Sequence, residues 1–371
     1  DTDLALPFYL LAKGGIAREV EVISQSGGEK HTYHIQTELS QPEGNWPDGM
    51  VFINSSANIS NCTVEGLNGF GALVYGPESK VTISNSSFLK NGTVGIVYGN
   101  GANGTIEKNL CENNAQVGIV ISDAGSNVDL IENTCRGGMA GIAFLSKARG
   151  KAERNICEEN GRGGIIVREA GSTATLIGNT CSKGEIGISF LEGAGGMAEK
   201  NISQENAEMG ILVDGMGTTA DLVDNTCKLN RVGIAFVRGA GGMVKKNVCE
   251  ENTGVGIWAG GAGTKVDVVE NVSSKNKNGI DFADGATGII EANICNLNKD
   301  HGLLIRKYDT SPVVKSNKFF NNGGYGLAYE EVSKPLIEAS NSYGYNHAGD
   351  STNSFDSTPK RKKSDLPAFD E

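Results

Sequence analysis

Short runs of β-branched and aliphatic residues, separated by glycine-rich turns, occur along most of the chain. The segment Gly118–Cys135 is representative, because it contains the apolar runs Gly118–Ile121 and Val128–Ile131 with a polar, Gly-containing turn between them. Such runs, bounded by Gly, Ser, Asn and Asp, are typical of β-strands. No apolar run at helical spacing is long enough to predict a helix. The pattern therefore predicts an all-β protein.

One asparagine recurs at a fixed place in this pattern, and we call it the repeat Asn. Its positions are Asn61, Asn85, Asn109, Asn133, Asn155, Asn179, Asn201, Asn225, Asn247, Asn271, Asn293, Asn317 and Asn341. The intervals are 24 or 22 residues and alternate between Asn109 and Asn317. Most units carry a second Asn five residues later, as at Asn114 and Asn160. Self-similarity at a fixed period is the sequence signature of a solenoid.

A coil of 22 to 24 residues with three short strands and three turns predicts a right-handed parallel β-helix. Each strand pairs with its equivalents one coil above and one coil below, at a spacing of about 4.8 Å. About 12 coils then form a rod roughly 58 Å long. The repeat Asn is expected at a tight bend, because Asn tolerates left-handed backbone conformations and because stacked amides hydrogen-bond from coil to coil.

The repeat pattern Asn-x-Cys-x-x-Asn-x-x-x-Gly-Ile resembles the right-handed β-helix repeats of the pectin-lyase-like superfamily, and most closely those of the carbohydrate-binding and sugar-hydrolase type. The resemblance covers roughly residues 51–347. It implies the fold, but the superfamily includes polysaccharide lyases, uronan C5-epimerases, glycoside hydrolases, phage tailspikes and the non-catalytic β-helix of F-box adaptors. Fold alone does not select among these functions.

Three regions are expected along the chain. Residues 1–50 form an N-terminal cap with a β-hairpin around Ser26–Glu29, because strand-like segments flank that Gly-containing turn. Residues 51–347 form the β-helix. Residues 348–371 are rich in Ser, Asp, Thr and Pro and include Lys360–Lys363, a composition that predicts a disordered tail.

Composition and charge exclude some classes of partner. The chain of 371 residues has 52 Gly and a formal net charge of −11. An acidic chain lacks the basic face that nucleic acid or an anionic membrane surface requires, so neither partner is expected. No segment approaches the ~20 apolar residues that span a bilayer, so no membrane insertion is predicted. A soluble protein of undetermined compartment is expected.

Seven of the eight cysteines lie two residues after a repeat Asn: Cys111, Cys135, Cys157, Cys181, Cys227, Cys249 and Cys295. In other units Thr63, Ser87, Ser203 and Ser273 occupy this place, which indicates a small, buried side chain. Adjacent coils bring Cα atoms within disulfide range, so a ladder of free thiols and a set of disulfides both remain open. Cys62 is one residue out of phase.

A charged column is predicted on the outside of one sheet. Counting thirteen residues from the repeat Asn gives Ser122, Ser146, Arg168, Glu192, Asp214, Arg238, Gly260, Asp284, Arg306 and Glu330. Glu192 and Asp214 would lie on consecutive coils about 4.8 Å apart, with Arg168 and Arg238 beside them. This is the carboxylate arrangement of a retaining glycosidase, and Arg beside carboxylates also suits lyase or epimerase chemistry. The alternative is a ladder of surface ion pairs.

Two features favour the alternative. The units keep to 22 or 24 residues through the middle of the chain, so no long loops wall a groove. The Asp-Pro-His-Asp cluster expected of uronan epimerases is also absent. We therefore predict a non-catalytic binding or scaffold protein with a protein or polysaccharide partner, and keep a polysaccharide lyase, epimerase or hydrolase as the alternative. No cofactor or metal is predicted, with calcium only for a lyase-like activity, although no Asp cluster indicates a calcium site.

An apolar stripe is the second candidate surface. Counting from the Gly of each Gly-Ile pair aligns Val120, Ile166, Leu212, Trp258 and Leu304, with smaller residues between them. Alternation along a strand turns this set outward if Ile119 and Ile121 face inward. Counting from the repeat Asn instead aligns Val120 with Phe144 as core. If the stripe faces outward, the homo-oligomer or protein partner it implies would use Trp258 as an anchor, with Leu212 and Ile166 beside it and Asp284 and Arg306 in the charged column.

Overall fold

Three parallel β-sheets run the length of the molecule and enclose one narrow core. The computed structural model describes residues 8–11, 21–26, 29–34, 49–54 and 56–353. Each coil contributes one strand to each of three sheets, which contain 15, 13 and 13 strands. We call them sheets 1, 2 and 3. The described residues contain no helix. The predicted all-β solenoid is confirmed, with thirteen three-stranded coils in place of about 12.

Sheet 1 has the longest strands and follows the Gly-rich end of each repeat. Its strands are Phe8–Leu11, Gly49–Ile53, Ala72–Tyr75, Val94–Gly99, Val117–Ile121, Ala140–Phe144, Gly163–Arg168, Ile186–Leu191, Met209–Asp214, Val232–Val237, Val255–Gly260, Asn278–Ala283, Leu303–Arg306, Tyr325–Tyr329 and Gly349–Thr352.

Sheets 2 and 3 complete each coil. The strands of sheet 2 are Ser56–Ser60, Lys80–Ser84, Asn103–Glu107, Asn127–Ile131, Arg149–Glu153, Thr173–Ile177, Gly195–Glu199, Thr219–Val223, Gly241–Lys245, Lys265–Val269, Thr287–Glu291, Ser311–Lys315 and Leu336–Ile337. The strands of sheet 3 are Thr63–Glu65, Ser87–Leu89, Leu110–Glu112, Thr134–Arg136, Ile156–Glu158, Thr180–Ser182, Ile202–Gln204, Thr226–Lys228, Val248–Glu250, Val272–Ser274, Ile294–Asn296, Lys318–Phe320 and Ser342–Gly344.

The ends of the solenoid differ from its middle. Phe8–Leu11 pairs antiparallel with Gly49–Ile53 and so covers the first edge of sheet 1. Glu21–Ser26 and Glu29–His34 form the antiparallel hairpin. At the other end, Gly349–Thr352 pairs with Tyr325–Tyr329, so the solenoid extends past the expected boundary at residue 347. The remainder of the expected tail, residues 354–371, lies outside the described residues.

Two internal ladders of asparagine amides connect the coils. In the first ladder each Nδ2 donates to the Oδ1 of the next repeat Asn, continuously from Asn109 to Asn341. The same Nδ2 also donates to a backbone carbonyl, as from Asn179 to Ala152 O at 2.8 Å. The second Asn of each unit forms a ladder that is continuous from Asn206 to Asn346. The predicted internal ladder is confirmed.

The left-handed bend lies one residue before the Asn, which corrects the expected reason for its presence. Glu132, Arg154, Lys200 and similar residues have φ near +55°, whereas Asn133 does not have a positive φ. The Asn is therefore retained for its amide, which satisfies backbone groups of the bend. Only in the first two coils does the counted Asn itself take the left-handed conformation, at Asn61 and Asn85.

The count from the repeat Asn is one residue out of register in these first coils. Ser86, not Asn85, is bonded to Asn109, since the Asn109 Oδ1 accepts from the Ser86 backbone N–H at 2.9 Å. The Ser86 hydroxyl in turn accepts from the Cys62 N–H. The repeat count places Asn61 and Asn85 among the stacked amides, but both are exposed, so that placement is wrong. Cys62 thus belongs to the amide-ladder position.

The seven cysteines that follow a repeat Asn line the core as an interrupted ladder of thiols without disulfides. All eight cysteines are buried. Pairing registers align Cys111, Cys135, Cys157 and Cys181 on consecutive strands of sheet 3, and Ser203 continues that column. In the first coils this column holds Val64 and Phe88 rather than the expected Thr63 and Ser87. Complete burial raises the pKa of the Cys295 thiol well above its usual range. These thiols therefore act as small apolar side chains.

Candidate functional site

The outward side of sheet 1 carries the apolar stripe predicted by counting from Gly. Pairing places one residue of each strand in a single column, which we call the outer column: Val120, Ala143, Ile166, Ser189, Leu212, Ala235, Trp258, Asp281 and Leu304. Its members lie outside the main core cluster, which contains their neighbours Ile119, Ile121 and Phe144. The alternative alignment of Val120 with Phe144 is therefore wrong.

Flanking residues pack against the outer column and form two separate apolar clusters. One contains Val94, Val120 and Ala143, with Phe70, Val97, Val117 and Leu145 against them. The other, which we call the central cluster, contains Met209, Leu212, Val232, Ala235, Val237, Ile186, Leu191 and Trp258. Leu212 is 6% exposed and Ala235 is 0% exposed, because their neighbours on the same face shield them. The apolar surface is thus broader than one stripe.

Large and small side chains alternate strictly through the middle of the outer column. Ile166, Leu212, Trp258 and Leu304 are separated by Ser189, Ala235 and Asp281. Because adjacent coils are about 4.8 Å apart, a large side chain recurs in this column roughly every 9.6 Å.

Trp258 is the largest side chain of this face, and one polar atom of its ring has no partner. Its Nε1 is buried and has no hydrogen-bond acceptor within the described part of the chain. The ring lies over Gly260, where a Cβ would come within 3.0 Å of Nε1. Val237, Arg238, Trp258, Gly260 and Gly261 line a small open cavity of about 140 Å³. A buried donor without an acceptor costs about 1–3 kcal/mol, which makes this position a candidate binding point.

The charged column is not the single row expected from the thirteen-residue count. Pairing aligns Arg168, Leu191, Asp214, Val237, Gly260, Ala283 and Arg306. Glu192, Arg238 and Asp284 come one residue later, at left-handed turn positions with φ of 54° to 56°. The reason is a turn between sheets 3 and 1 that is one residue shorter in alternate coils. Glu192 and Asp214 are therefore not stacked on each other.

Each of these carboxylates is instead bound by its own arginine. Arg168 Nε donates to Glu192 Oε2 at 2.8 Å and Nη2 donates to Oε1 at 2.6 Å. Arg238 Nε donates to Asp214 Oδ1 at 2.7 Å, and its Nη2 donates to Oδ2. The hydrogen bond from each guanidinium raises the pKa of Arg168 and of Arg238 above the ordinary arginine value. Both pairs have two-point geometry, which orients the carboxylates toward the arginines.

A third ion pair interrupts the apolar column. Asp281 is 2% exposed, and Arg306 Nε donates to its Oδ1 and Oδ2 at 3.1 and 3.2 Å. Burial raises the pKa of Asp281, and Arg306 offsets part of that effect. The charge of Asp281 is the main cause that raises the pKa of Arg306. Asp284 is exposed at the following turn. The predicted residues Trp258, Asp284 and Arg306 thus lie at one end of the face.

Metal ligands do not converge on this face. Among the residues that the structure describes, no group of three or more His, Cys, Asp or Glu side chains is arranged to hold a metal ion. The calcium considered for a lyase-like activity stays a prediction.

Sequence reasoning missed the flanks of the face and the role of Asp281. Ile186, Met209 and Val232 precede each Gly and widen the apolar surface, and Leu191 extends it on the other side. Counting from the Gly of each Gly-Ile pair could have found them. Ile186, Met209 and Val232 are apolar residues just before that Gly, and Leu191 is an apolar residue two positions after the outer column. Counting from Gly treats Asp281 only as one of the smaller residues between the large ones. Its ion pair with Arg306 depends on the register of neighbouring coils, which the count does not contain.

The match to known proteins is clearest for the fold. The family model described as right handed beta helix region matches residues 34–181 and 138–273. A model described as periplasmic copper-binding protein (NosD) matches residues 220–357. No curated protein sequence matches the chain. In the described part of the chain, no helix has the length and apolarity to cross a bilayer.

Solved structures share the architecture at low sequence identity. The periplasmic alginate epimerase AlgG is 12% identical, with a TM-score of 0.51 and coverage of 82% of this chain and 85% of that one. A chain of the Vag8–C1 inhibitor complex is 9% identical, with a TM-score of 0.53 and coverage of 81% and 99%. At these identities the likeness shows a common fold and not a common activity.

Proposed function

The chain belongs to the family described as right handed beta helix region, and on that premise we propose that it is a non-catalytic binding protein that presents the outer face of sheet 1 to a partner. The observation that carries the proposal is the central cluster, an apolar group outside the main core in which Trp258 is half-buried beside a small open cavity. Aromatic side chains at such places are common anchors for a binding partner.

The geometry of the charged residues favours binding over catalysis. A general base or nucleophile needs a carboxylate that is available to the reacting atoms. Here two-point hydrogen bonds hold Glu192 against Arg168, and Asp214 is held against Arg238 in the same way. The deepest carboxylate, Asp281, is covered by Arg306. These ion pairs lie beside the apolar residues on the outer side of sheet 1.

A direct test separates a binding face from an active site. Wild type, Glu192→Gln and Asp214→Asn are each incubated with alginate, pectate and neutral polysaccharides, and the products are followed by unsaturated uronate absorbance, reducing ends and C5 configuration. We expect no turnover by any of the three proteins. Turnover by wild type that Asp214→Asn or Glu192→Gln abolishes would replace the binding role with an enzymatic one.

Binding of a ligand to the face can be followed by the fluorescence emission of Trp258. The chain has two tryptophans, so Trp46→Phe leaves Trp258 as the only reporter. A ligand that covers the face is expected to shift the Trp258 emission, because it changes the polarity around the indole. The same titration with Leu191→Lys is the matched control, since that substitution places a charge at the edge of the central cluster without touching the main core. An emission shift of equal size in both proteins would place the ligand elsewhere.

A further inference from the structure

We infer that the outward side of sheet 3 is a self-association surface, on which a second copy of the chain binds with its coils in the opposite order. This surface is separate from the outer face of sheet 1, so the inference does not depend on the proposed binding role. The two copies are related by a two-fold axis that is parallel to the strands of sheet 3 and lies midway between the coils of Thr180 and Ile202. Such an axis places each row of one copy against the same row of the other, in reversed coil order.

A row of aliphatic and threonine side chains runs along the outward side of sheet 3. We call it the sheet 3 row, and strand pairing aligns its members Leu110, Thr134, Ile156, Thr180, Ile202, Thr226, Val248, Val272 and Ile294. Ile156, Ile202 and Ile294 are 43%, 40% and 36% exposed. The other members of the row are half-buried. The row therefore has aliphatic side chains that a partner can reach, which is the property of an interaction surface.

Two rows of charged residues flank the sheet 3 row. The bend row occupies the exposed left-handed turn before each Asn of the first ladder: Lys108, Glu132, Arg154, Gly178, Lys200, Asp224, Lys246 and Glu270. The strand-end row is the last residue of each strand: Glu112, Arg136, Glu158, Ser182, Gln204, Lys228, Glu250 and Ser274. In neither row do two consecutive coils carry charges of the same sign.

Reversing the coil order turns this alternation into charge complementarity between the two copies. The charged pairs that meet across the axis are Lys108 with Glu270, Glu132 with Lys246, Arg154 with Asp224, Arg136 with Glu250 and Glu158 with Lys228. All of them are of opposite sign, and the two-fold symmetry forms each pair twice. Shifting the axis by half a coil, so that it passes through Ile202, instead opposes Arg154 to Lys246 and Glu158 to Glu250. Contacts between like charges penalise that register.

Side-chain size is complementary about the same axis. Leucine or isoleucine alternates with threonine through the first six members of the sheet 3 row. The reversed order therefore lays Ile202 over Thr180 and Ile156 over Thr226. If the two copies ran in the same direction, with the axis along the row, each isoleucine would meet itself. Pairing large with small side chains gives the shape complementarity of specific interfaces.

Ion pairs within the chain explain only part of this pattern. Arg154 binds Glu132 of the preceding coil at 3.0 Å, and Arg136 binds Glu112 at 2.9 Å. These contacts account for the alternation of sign along each charged row. They do not require aliphatic and threonine residues to alternate in the row between them. A reversed second copy accounts for both alternations.

The area of the surface is that of a reversible dimer. The eight coils from Leu110 to Val272 extend about 38 Å, and the five residue steps across the face from Arg154 to Glu159 span about 16 Å. The footprint is therefore roughly 600 Å² per copy, or about 1,200 Å² in total. This value is at the lower end of the range for specific interfaces.

Sedimentation at increasing concentration tests the surface. We expect wild type to form a dimer, and Ile202→Glu to raise the dimer dissociation constant by about tenfold or more, since Ile202 lies beside the axis. Met216→Glu is the matched control, because Met216 is 87% exposed in a turn between sheets 1 and 2. The control is expected to dimerise as wild type does. A wild-type monomer at the highest concentration reached, or equal weakening by both substitutions, would overturn the inference.

Charge reversal tests the pairing of residues across the axis. Arg154→Glu should raise the dissociation constant by about fivefold, because two symmetry-related attractions become repulsions. Adding Asp224→Arg to the same chain should restore most of the affinity. Both variants lack the ion pair between Arg154 and Glu132, so its loss does not explain a recovery. A double variant that dimerises no better than Arg154→Glu alone would refute this axis.

Crosslinking tests the direction of the second copy. Facing sheets lie about 10 Å apart, so a bismaleimide of that length is used on Ile156→Cys and Thr226→Cys proteins. The two positions face each other across the axis, but within one chain they are three coils, or about 14 Å, apart. A mixture of the two proteins should give a covalent dimer, with wild type as the control for the buried native thiols. A covalent dimer from Ile156→Cys alone would show that the copies run in the same direction and would overturn the inference.

Discussion

The inner and outer sides of sheet 1 are built from the same strands, but large and small side chains alternate on the two sides in opposite phase. On the inner side, Phe144, Phe190, Phe236 and Phe282 are separated by Val167, Val213 and Ala259. On the outer side of the same strands, the coils that carry Phe inside carry Ala143, Ser189, Ala235 or Asp281 outside. The coils with a smaller inner residue carry the large outer residues. The structural unit is therefore a pair of coils.

The two sides differ in the residues that pack against their large side chains. Inside, the Phe144 and Phe190 rings each meet a glycine of sheet 2 in their own coil, where a Cβ on Gly150 would lie 2.7 Å from a ring carbon of Phe144 and a Cβ on Gly196 would lie 2.9 Å from one of Phe190. The chain thus supplies the space for these two rings. Outside, the large and small residues are instead shielded by flanking side chains of the same face, which form clusters separate from the main core. The inner alternation is thus packed against another sheet, whereas the outer alternation is packed only against its own sheet.

The largest effect is expected from removing an inner ridge. Phe236→Ala should lower the free energy of unfolding by about 3–5 kcal/mol, because it leaves a cavity that the stacked coils cannot close. Leu212→Ala is the outer counterpart and should cost less, since Leu212 belongs to the small central cluster and not to the main core. Urea unfolding of the two variants beside wild type measures both losses. Equal losses would mean that the two sides are equally part of the core.

The amide ladder gives the next largest effect. Asn179 accepts from Asn155 and donates to Asn201 and to Ala152 O, so Asn179→Ala leaves several buried groups unpaired. We expect a loss of about 1–3 kcal/mol. Asn160 is a suitable comparison, because its ladder is interrupted at Gly184, and Asn160→Ala should cost less. An unchanged thermal midpoint for Asn179→Ala would contradict a stabilising ladder.

Asp281 is the charged exception on the outer side, and it predicts a pH dependence. Its folded pKa is raised above the ordinary 3.8 mainly by burial, so the folded state binds the proton more tightly than the unfolded state. That contribution to stability is fully present below about pH 3.8 and is lost as pH rises through the folded pKa. Asp281→Asn should remove this dependence. Unfolding measured from acid to neutral pH should show wild type losing stability relative to the variant, and parallel curves would contradict the prediction.

The smallest effect is expected at the edge of the face. Arg168 and Glu192 are each about half exposed, so Arg168→Gln should change the free energy of unfolding by only about 0–1 kcal/mol. The matched change Arg306→Gln should cost more, because it leaves Asp281 buried without its partner. Thermal melting of the two variants side by side distinguishes them. Similar losses would mean that burial does not separate the two pairs.

The sequence was sufficient for the fold because the same physical constraint is repeated in every coil. From Asn109 onward the amide of each repeat Asn bonds to the next one, so its spacing gives the coil length directly. The outer column was found by counting from Gly, since Gly210 and Gly233 fit against the buried side chains of the next coil and mark the strand register.

The charged site could not be found in the same way. Between Asn and Gly, alternate coils differ by one residue, so a fixed count from Asn reaches a strand residue at Asp214 and a turn residue at Glu192. The ion pairs also join residues 24 or 25 positions apart whose side-chain directions depend on that turn. A periodic count contains no information about such a turn.

The amide ladder also gives the rod an electrical direction. Every link donates toward the C-terminal end, as from Asn155 to Asn179 and from Asn179 to Asn201, so the amide dipoles add along the axis instead of cancelling. Aligned peptide dipoles produce partial charges at the ends of a helix, and the same addition applies here. The N-terminal end of the ladder is thus its negative pole and the end near Asn341 is its positive pole, where the Asn341 Nδ2 donates to backbone carbonyls.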